Sequence, residues 1–184
     1  MLRKLPHDEI PRLTIEEVRN SERHPVYVVL DNVRSAYNVG SIFRTCDGAG
    51  VAGLYLCGYT PHPPHKEIAK TALTAVESVP WEFHPSIEQL LHDLKTRGVT
   101  IAPVEIARPS KSYTELGGCD YPVALVFGNE IVGVSQEVLA LADFALEIPM
   151  FGIKQSLNVA VAAGISMFEA VRIFREYRGD PGDG

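Results

Sequence analysis

The chain alternates short apolar runs with amphipathic segments. Val26–Leu30 (VYVVL) is continuously apolar and mostly β-branched, the pattern of a strand buried on both faces. Val51–Cys57, Val99–Val104, Val123–Phe127 and Phe144–Ile148 repeat that character, and Ser78–Phe83 is a further strand candidate. Between them, a helix over Val39–Ala49 sets Val39, Ile42, Phe43, Cys46 and Ala49 on one face. Thr14 with Glu17, and Ser86 with Gln89, match capping boxes that open helices. Lys66–Val76 predicts a short helix, and Ser135 is placed to cap another through Leu141. The last helix spans Asn158–Tyr177; its first half, VAVAAGI, is apolar nearly all round and is expected to be buried. Strands alternating with helices predict an α/β fold with a mainly parallel sheet. Ligands of such sheets bind beyond the C-terminal strand ends. The informative loops are therefore those after Leu30, Val104, Phe127 and Ile148.

Two motifs are decoys. Gly48-Ala-Gly50-Val-Ala-Gly53 satisfies G-x-G-x-x-G, but it joins a helix to a strand. A dinucleotide site needs the reverse order, so that a helix N-terminus meets the pyrophosphate. The run reads instead as a helix C-cap with Gly50 in the left-handed position. His62 and His65 lie in a proline-rich loop without a third ligand nearby, so no metal site is expected.

Composition narrows the setting. The formal net charge is −6 and the hydrophobic share 46%, which excludes disorder and a polycation that coats nucleic acid, while allowing a local basic patch. Three cysteines without C-x-x-C spacing suggest free thiols in a reducing compartment. The N-terminus lacks the apolar core of a secretory signal, and no apolar run is long enough to span a bilayer. A cytoplasmic protein is expected, with a helical extension over residues 1–24, one main domain over 25–178 and a flexible tail over 179–184.

Three loops carry candidate chemistry. The first holds Asn32, Arg34, Asn38, Gly40 and Arg44 directly after a buried strand; Asn38 could serve as a helix cap and Arg44 as part of a solvated helix face. The second, Phe127-Gly128-Asn-Glu130-Ile-Val-Gly133-Val-Ser135, places a glycine after a strand, where a ligand can approach the backbone. The third, Ile148-Pro-Met150-Phe-Gly-Ile-Lys154-Gln-Ser156-Leu157-Asn158-Val159, ends in a polar triplet at the mouth of an apolar helix.

These segments resemble, in order, the three motifs of the SPOUT superfamily in its SpoU/TrmH-type branch of RNA ribose 2′-O-methyltransferases. The matches are N-x-G-x-x-x-R at Asn38, Gly40 and Arg44; F-G-x-E-x-x-G-x-S from Phe127 to Ser135; and I-P-M-x-G…S-L-N-V from Ile148 to Val159. The resemblance implies an α/β knot whose C-terminal segment forms a deep trefoil. It implies S-adenosylmethionine held at Gly128, Ile148 and Leu157, with Met150 and Ser156 close by and Val104 completing the pocket. It further implies a homodimer whose active site takes Arg44 from the partner subunit, with Asn38, Glu130 and Asn158 positioning that arginine and the ribose. No metal is needed. Arg34, Arg44 and Lys154 are the candidate contacts to the RNA substrate, tRNA ahead of rRNA. A base methyltransferase of the same fold and a non-catalytic RNA-binding relative are the alternatives.

Overall fold

A computed structural model describes residues 2–6 and 8–180. In chain order the elements are α1 (Ile15–Asn20), β1 (His24–Asp31), α2 (Ala36–Ala49), β2 (Val51–Cys57), α3 (Lys66–Ala72), α4 (Ala75–Ser78), β3 (Trp81–His84), α5 (Ile87–Thr96), β4 (Thr100–Pro103), β5 (Ser110–Ser112), β6 (Val123–Phe127), α6 (Gln136–Leu141), β7 (Ala145–Glu147) and α7 (Val159–Arg178). Five strands form one sheet in the order β3-β2-β1-β6-β4, and every pairing in it is parallel.

Both faces of this sheet are covered, which is why its central strands are apolar without alternation. Val26, Val28 and Leu30 of β1 enter one core with α2, α3 and α7, whereas Val29 enters a second core with α5 and α6. In β6, Val123, Leu125 and Phe127 join the first core, and Ala124 and Val126 the second. The strand order runs outward from β1 to β2 and β3, then resumes on the other side of β1 with β6. A cleft opens at the C-terminal ends of β4 and β6, on the β6 side of that reversal.

Several expectations change. β7 lies outside the main sheet and pairs with β5, a strand too short and polar to register in the sequence pattern. The helix expected over 66–76 breaks in two, because Leu73 adopts φ +53°. α2 begins three residues before Val39, with Ser35 as its cap: the Ser35 hydroxyl accepts from the Asn38 N–H at 3.3 Å. Asn38 is therefore inside the first turn and is not the cap. Ser135 sits at the α6 N-terminus, but its hydroxyl is buried without a hydrogen bond among the described residues. The C-terminal helix is not buried throughout its first half: Val161, Ile165 and Phe168 face solvent. These residues, spaced by four and three, form one stripe. The strand expected over 78–83 begins only at Trp81, because Ser78 ends α4, and Ser86 accepts the Gln89 N–H without the return bond of a full capping box among the described residues. Thr14 and Glu17 make the capping box of α1, and Gly50 closes α2 at φ +57°. Gly179 caps α7 and the Asp180 N–H bonds to the Arg175 carbonyl, whereas 181–184 lie outside the described residues. No described helix is long and apolar enough to cross a membrane.

Gly40 has a packing role in the first motif. A Cβ there would fall 2.7 Å from the Ile68 carbonyl oxygen and 1.9 Å from Thr71 Oγ1, so α3 crosses α2 where only hydrogen fits. Gly40→Ala is expected to destabilise the protein by about 1–3 kcal/mol, measured by urea unfolding; unchanged stability would show that α3 can shift freely. The thiols yield a second expectation. Cys46 and Cys57 are buried and Cys119 is exposed. Burial, with a smaller contribution from Asp31, pushes the Cys57 thiol up to about 12. An aromatic disulfide reagent should titrate one thiol in the native protein and all three in denaturant.

Candidate active site

The cleft at the C-terminal ends of β4 and β6 has a volume of about 510 Å³. Val104, Gly128, Glu130, Ile148, Met150, Ser156, Leu157 and Asn158 all line it. The loops after β4, β6 and β7 line it, and carboxylates tie the first two to each other and to the loop after β1 through backbone N–H groups. Glu130, in the loop after β6, reaches the loop after β1: it accepts from the Arg34 N–H at 2.9 Å, the Ser35 N–H at 3.1 Å and the Asn38 side-chain amide at 3.0 Å. In return Asp31, at the end of β1, accepts from the Ser135 N–H at 2.6 Å. Glu105, after β4, accepts from the Val134 N–H at 3.3 Å.

The third loop enters through Asn158. Its side-chain oxygen caps α7 by accepting from the Ala160 N–H at 2.9 Å, and its amide donates to Asn38 Oδ1 at 3.2 Å. Asn158, Asn38 and Glu130 thus form one relay across all three motifs. Burial, the largest single influence on Glu130, raises its pKa. The hydrogen bonds from Arg34, from its own N–H, from Asn38 and from Ser35 together outweigh it and hold the carboxyl below its usual range. A lone loop glutamate would be merely solvated; this one is a fixed anion at the start of α2.

The loop after β6 is closed on itself. The Asn129 and Gly133 N–H groups each donate to the other residue's carbonyl at 2.9 Å. A Cβ on Gly128 would meet the Gly133 carbonyl carbon at 2.1 Å. Gly128 is thus required first by its own loop, and its bare backbone at the cleft wall follows from that. Gly133, at φ +72°, gives the return turn.

Arg34, Arg44 and Lys154 are exposed and do not line the cleft. The Arg44 side chain makes no hydrogen bond or ion pair among the described residues. His62 packs at a tilt against Phe83 with ring centroids 4.4 Å apart, and His65 accepts the Glu67 N–H at the start of α3. Among the described residues no group of three or more His, Cys, Asp or Glu could hold a metal ion. Sequence reasoning missed Asp31, Asn129 and Glu105. For Asp31 a signal existed: a carboxylate ends an otherwise apolar strand, and it is only 1% exposed.

The model of the SpoU rRNA Methylase family matches residues 25–168. This chain belongs to that family. The SpoU protein is 38% identical over 166 residues, 89% of its length and 83% of the relative's, to the tRNA (guanosine(18)-2′-O)-methyltransferase of Thermus thermophilus. Its structure superposes on the TrmH/SpoU tRNA modifying enzyme of A. aeolicus with a TM-score of 0.79 and 34% identity, covering 90% of this chain and 84% of the other. An AdoMet-bound rRNA methyltransferase from Sinorhizobium meliloti superposes with a TM-score of 0.76 and 33% identity, covering 84% of this chain and 59% of that one. The SpoU protein is an S-adenosylmethionine-dependent RNA ribose 2′-O-methyltransferase. The cleft fits that methyl donor: its volume lies within the roughly 300–1,000 Å³ of ligand sites, and its lining combines apolar Val104 and Leu157 with polar Glu130 and Asn158.

A pH expectation follows. The folded Glu130 pKa is depressed, so its contribution to stability is present above the ordinary glutamate pKa and is lost as pH falls through the lower folded value. The Arg34 and Ser35 amide-proton shifts, followed by NMR, should titrate with a midpoint below that of an exposed glutamate and cease to titrate in Glu130→Ala. A midpoint at the ordinary value would contradict the fixed anion.

Proposed function

We propose that this SpoU enzyme methylates the ribose 2′-hydroxyl of guanosine 18 in tRNA, acting as a cytoplasmic homodimer with composite active sites. Residues 25–178 are its methyltransferase domain, and the segment before it carries the short helix α1. The relay Asn158–Asn38–Glu130 carries the reading, because it couples the three motif loops at the mouth of the cleft. The substrate assignment is supported by the guanosine(18) specificity of relatives that align along most of the chain.

In this reading Gly128, Ile148 and Leu157 hold S-adenosylmethionine through backbone groups, with Val104, Met150 and Ser156 beside them. Bound there, it supplies a methyl carbon already activated by its sulfonium. The protein has to set the 2′-oxygen in line with that carbon and favour developing negative charge on the oxygen. Glu130 fixes the Arg34–Asn38 segment, and Asn38 and Asn158 present amide groups to the ribose. Arg44 stabilises the developing alkoxide while RNA phosphate fixes its guanidinium. An arginine with a pKa above about 12 is a poor proton acceptor, so a phosphate oxygen or water takes the proton. Arg34 and Lys154 contact RNA phosphates.

The dimer supplies what one chain lacks. Arg44 lies outside the cleft of its own chain, and the Val161, Ile165, Phe168 stripe on α7 is apolar and exposed, with Phe168 52% accessible. A two-fold pairing through α7 covers the stripe and brings each Arg44 to the other cleft. α7 packs back on α2, β1 and β6 after the Met150–Leu157 segment, a path that suits the trefoil threading of the motif resemblance.

The assay is methyl transfer from labelled S-adenosylmethionine to unmodified tRNA, followed by alkaline digestion. Label should appear in an alkali-resistant dinucleotide and vanish when guanosine 18 is replaced; label only in mononucleotides would indicate a base methyltransferase. Arg44→Lys should lower kcat on the order of a hundredfold. Arg44→Ala and Asn158→Ala should each be inactive alone. When mixed under subunit exchange they should recover about a quarter of wild-type activity, because half the dimers hold one intact site. A mixture as inactive as its parents would sink the shared site.

A further inference from the structure

The loop after β2 presents an aromatic ring whose place is set by the active-site loops. Tyr59 is 61% exposed, yet it is held at two points, one on its backbone and one on its ring. Its N–H donates to Asn32 Oδ1 at 3.1 Å, and its hydroxyl oxygen accepts from Asn129 Nδ2 at 2.8 Å. Asn129 is itself buried and also donates to the Asn32 carbonyl at 2.9 Å. It accepts the Ile131 and Val132 N–H groups at 2.9 and 3.1 Å. Asn129 thus ties Tyr59 to the loop that carries Glu130. Gly58 shapes the approach: it lies at φ +63°, and a Cβ there would fall 2.0 Å from Asn32 Oδ1.

An aromatic face left in water forgoes the gain of burial, and here hydrogen bonds fix an exposed ring beside Asn129, which lines the cleft. The hydroxyl accepts from Asn129, and its own proton has no acceptor among the described residues. The residue therefore offers a flat π surface and a free O–H donor. The same loop and the helix after it carry related side chains. His62 packs at a tilt of 39° against Phe83, near the C-terminal end of β3, and Lys66 and Lys70 follow in sequence, both exposed. Aromatic rings interleaved with cations receive unpaired nucleobases.

We infer that Tyr59 is an RNA-positioning residue: an unpaired nucleobase next to the reacting ribose stacks on its ring. The inference rests on the RNA methyltransferase reading above. It assigns Tyr59 to holding the substrate, with no part in bonding changes.

The test is steady-state methylation of an unmodified tRNA transcript by wild type, Tyr59→Phe and Tyr59→Ala, with S-adenosylmethionine affinity measured separately by calorimetry. Tyr59→Ala should raise the KM for tRNA on the order of tenfold and leave kcat and S-adenosylmethionine affinity close to wild type. Tyr59→Phe, which keeps the ring, should restore most of the loss. A Tyr59→Phe protein as impaired as Tyr59→Ala would assign the effect to the hydroxyl brace and overturn stacking. Parallel loss of S-adenosylmethionine affinity in Tyr59→Ala would mark a structural role and overturn it too. An unchanged KM in Tyr59→Ala, with wild type active, rejects the inference alone. A wild-type enzyme that methylates no RNA rejects the functional reading and this inference with it.

Discussion

Two carboxylates exchanged between neighbouring loops hold the site together. Asp31, at the end of β1, takes the Ser135 N–H from the loop after β6. Glu130, in that second loop, takes the Arg34 and Ser35 N–H groups from the loop after β1. Each loop would otherwise carry unpaired backbone donors beside a cleft, an expensive arrangement where water is limited. Paired this way, the loops constrain each other, and the relay from Asn158 to Asn38 adds the third. The covered sheet beneath makes the arrangement possible. With apolar side chains on both faces of β1 and β6, polar chemistry is displaced to the strand ends.

Much of this was legible before any coordinates. β2 and β6 begin and end where their apolar runs do, and Gly50, Thr14 and Glu17 act as local rules require. Such elements answer to neighbours a few residues away. Two of the failures share an opposite cause. β5 exists because it lies beside β7, and nothing in Ser110–Ser112 shows that on its own. Leu73 breaks a helix at a backbone conformation its side chain disfavours. Ser135 looks like a cap, yet its N–H serves Asp31 instead. For β5 and Ser135 a tertiary partner overrides local preference.

The same division holds within the site. Glu130, Asn38 and Asn158 were found because their motifs set them at strand or helix ends, and the structure joins them by hydrogen bonds. Asn129 went unnoticed beside Glu130, although it organises the loop from a buried position. Its role depends on Asn32 and Tyr59, residues 97 and 70 positions away, which no local pattern reveals. The glycines also separate into kinds. Gly40 is demanded by a helix crossing and Gly128 by the return of its own loop, so motif glycines that look ligand-driven answer first to packing.

The exposed stripe on α7 has a consequence beyond geometry. Val161, Ile165 and Phe168 leave water only when a second surface covers them. Under the proposed pairing, association and folding draw on the same apolar area, and both obey mass action. Protein concentration then becomes a variable of the chemistry. Dilution lowers the fraction of completed sites before it disturbs any residue of the cleft, so specific activity and melting temperature rise together with concentration.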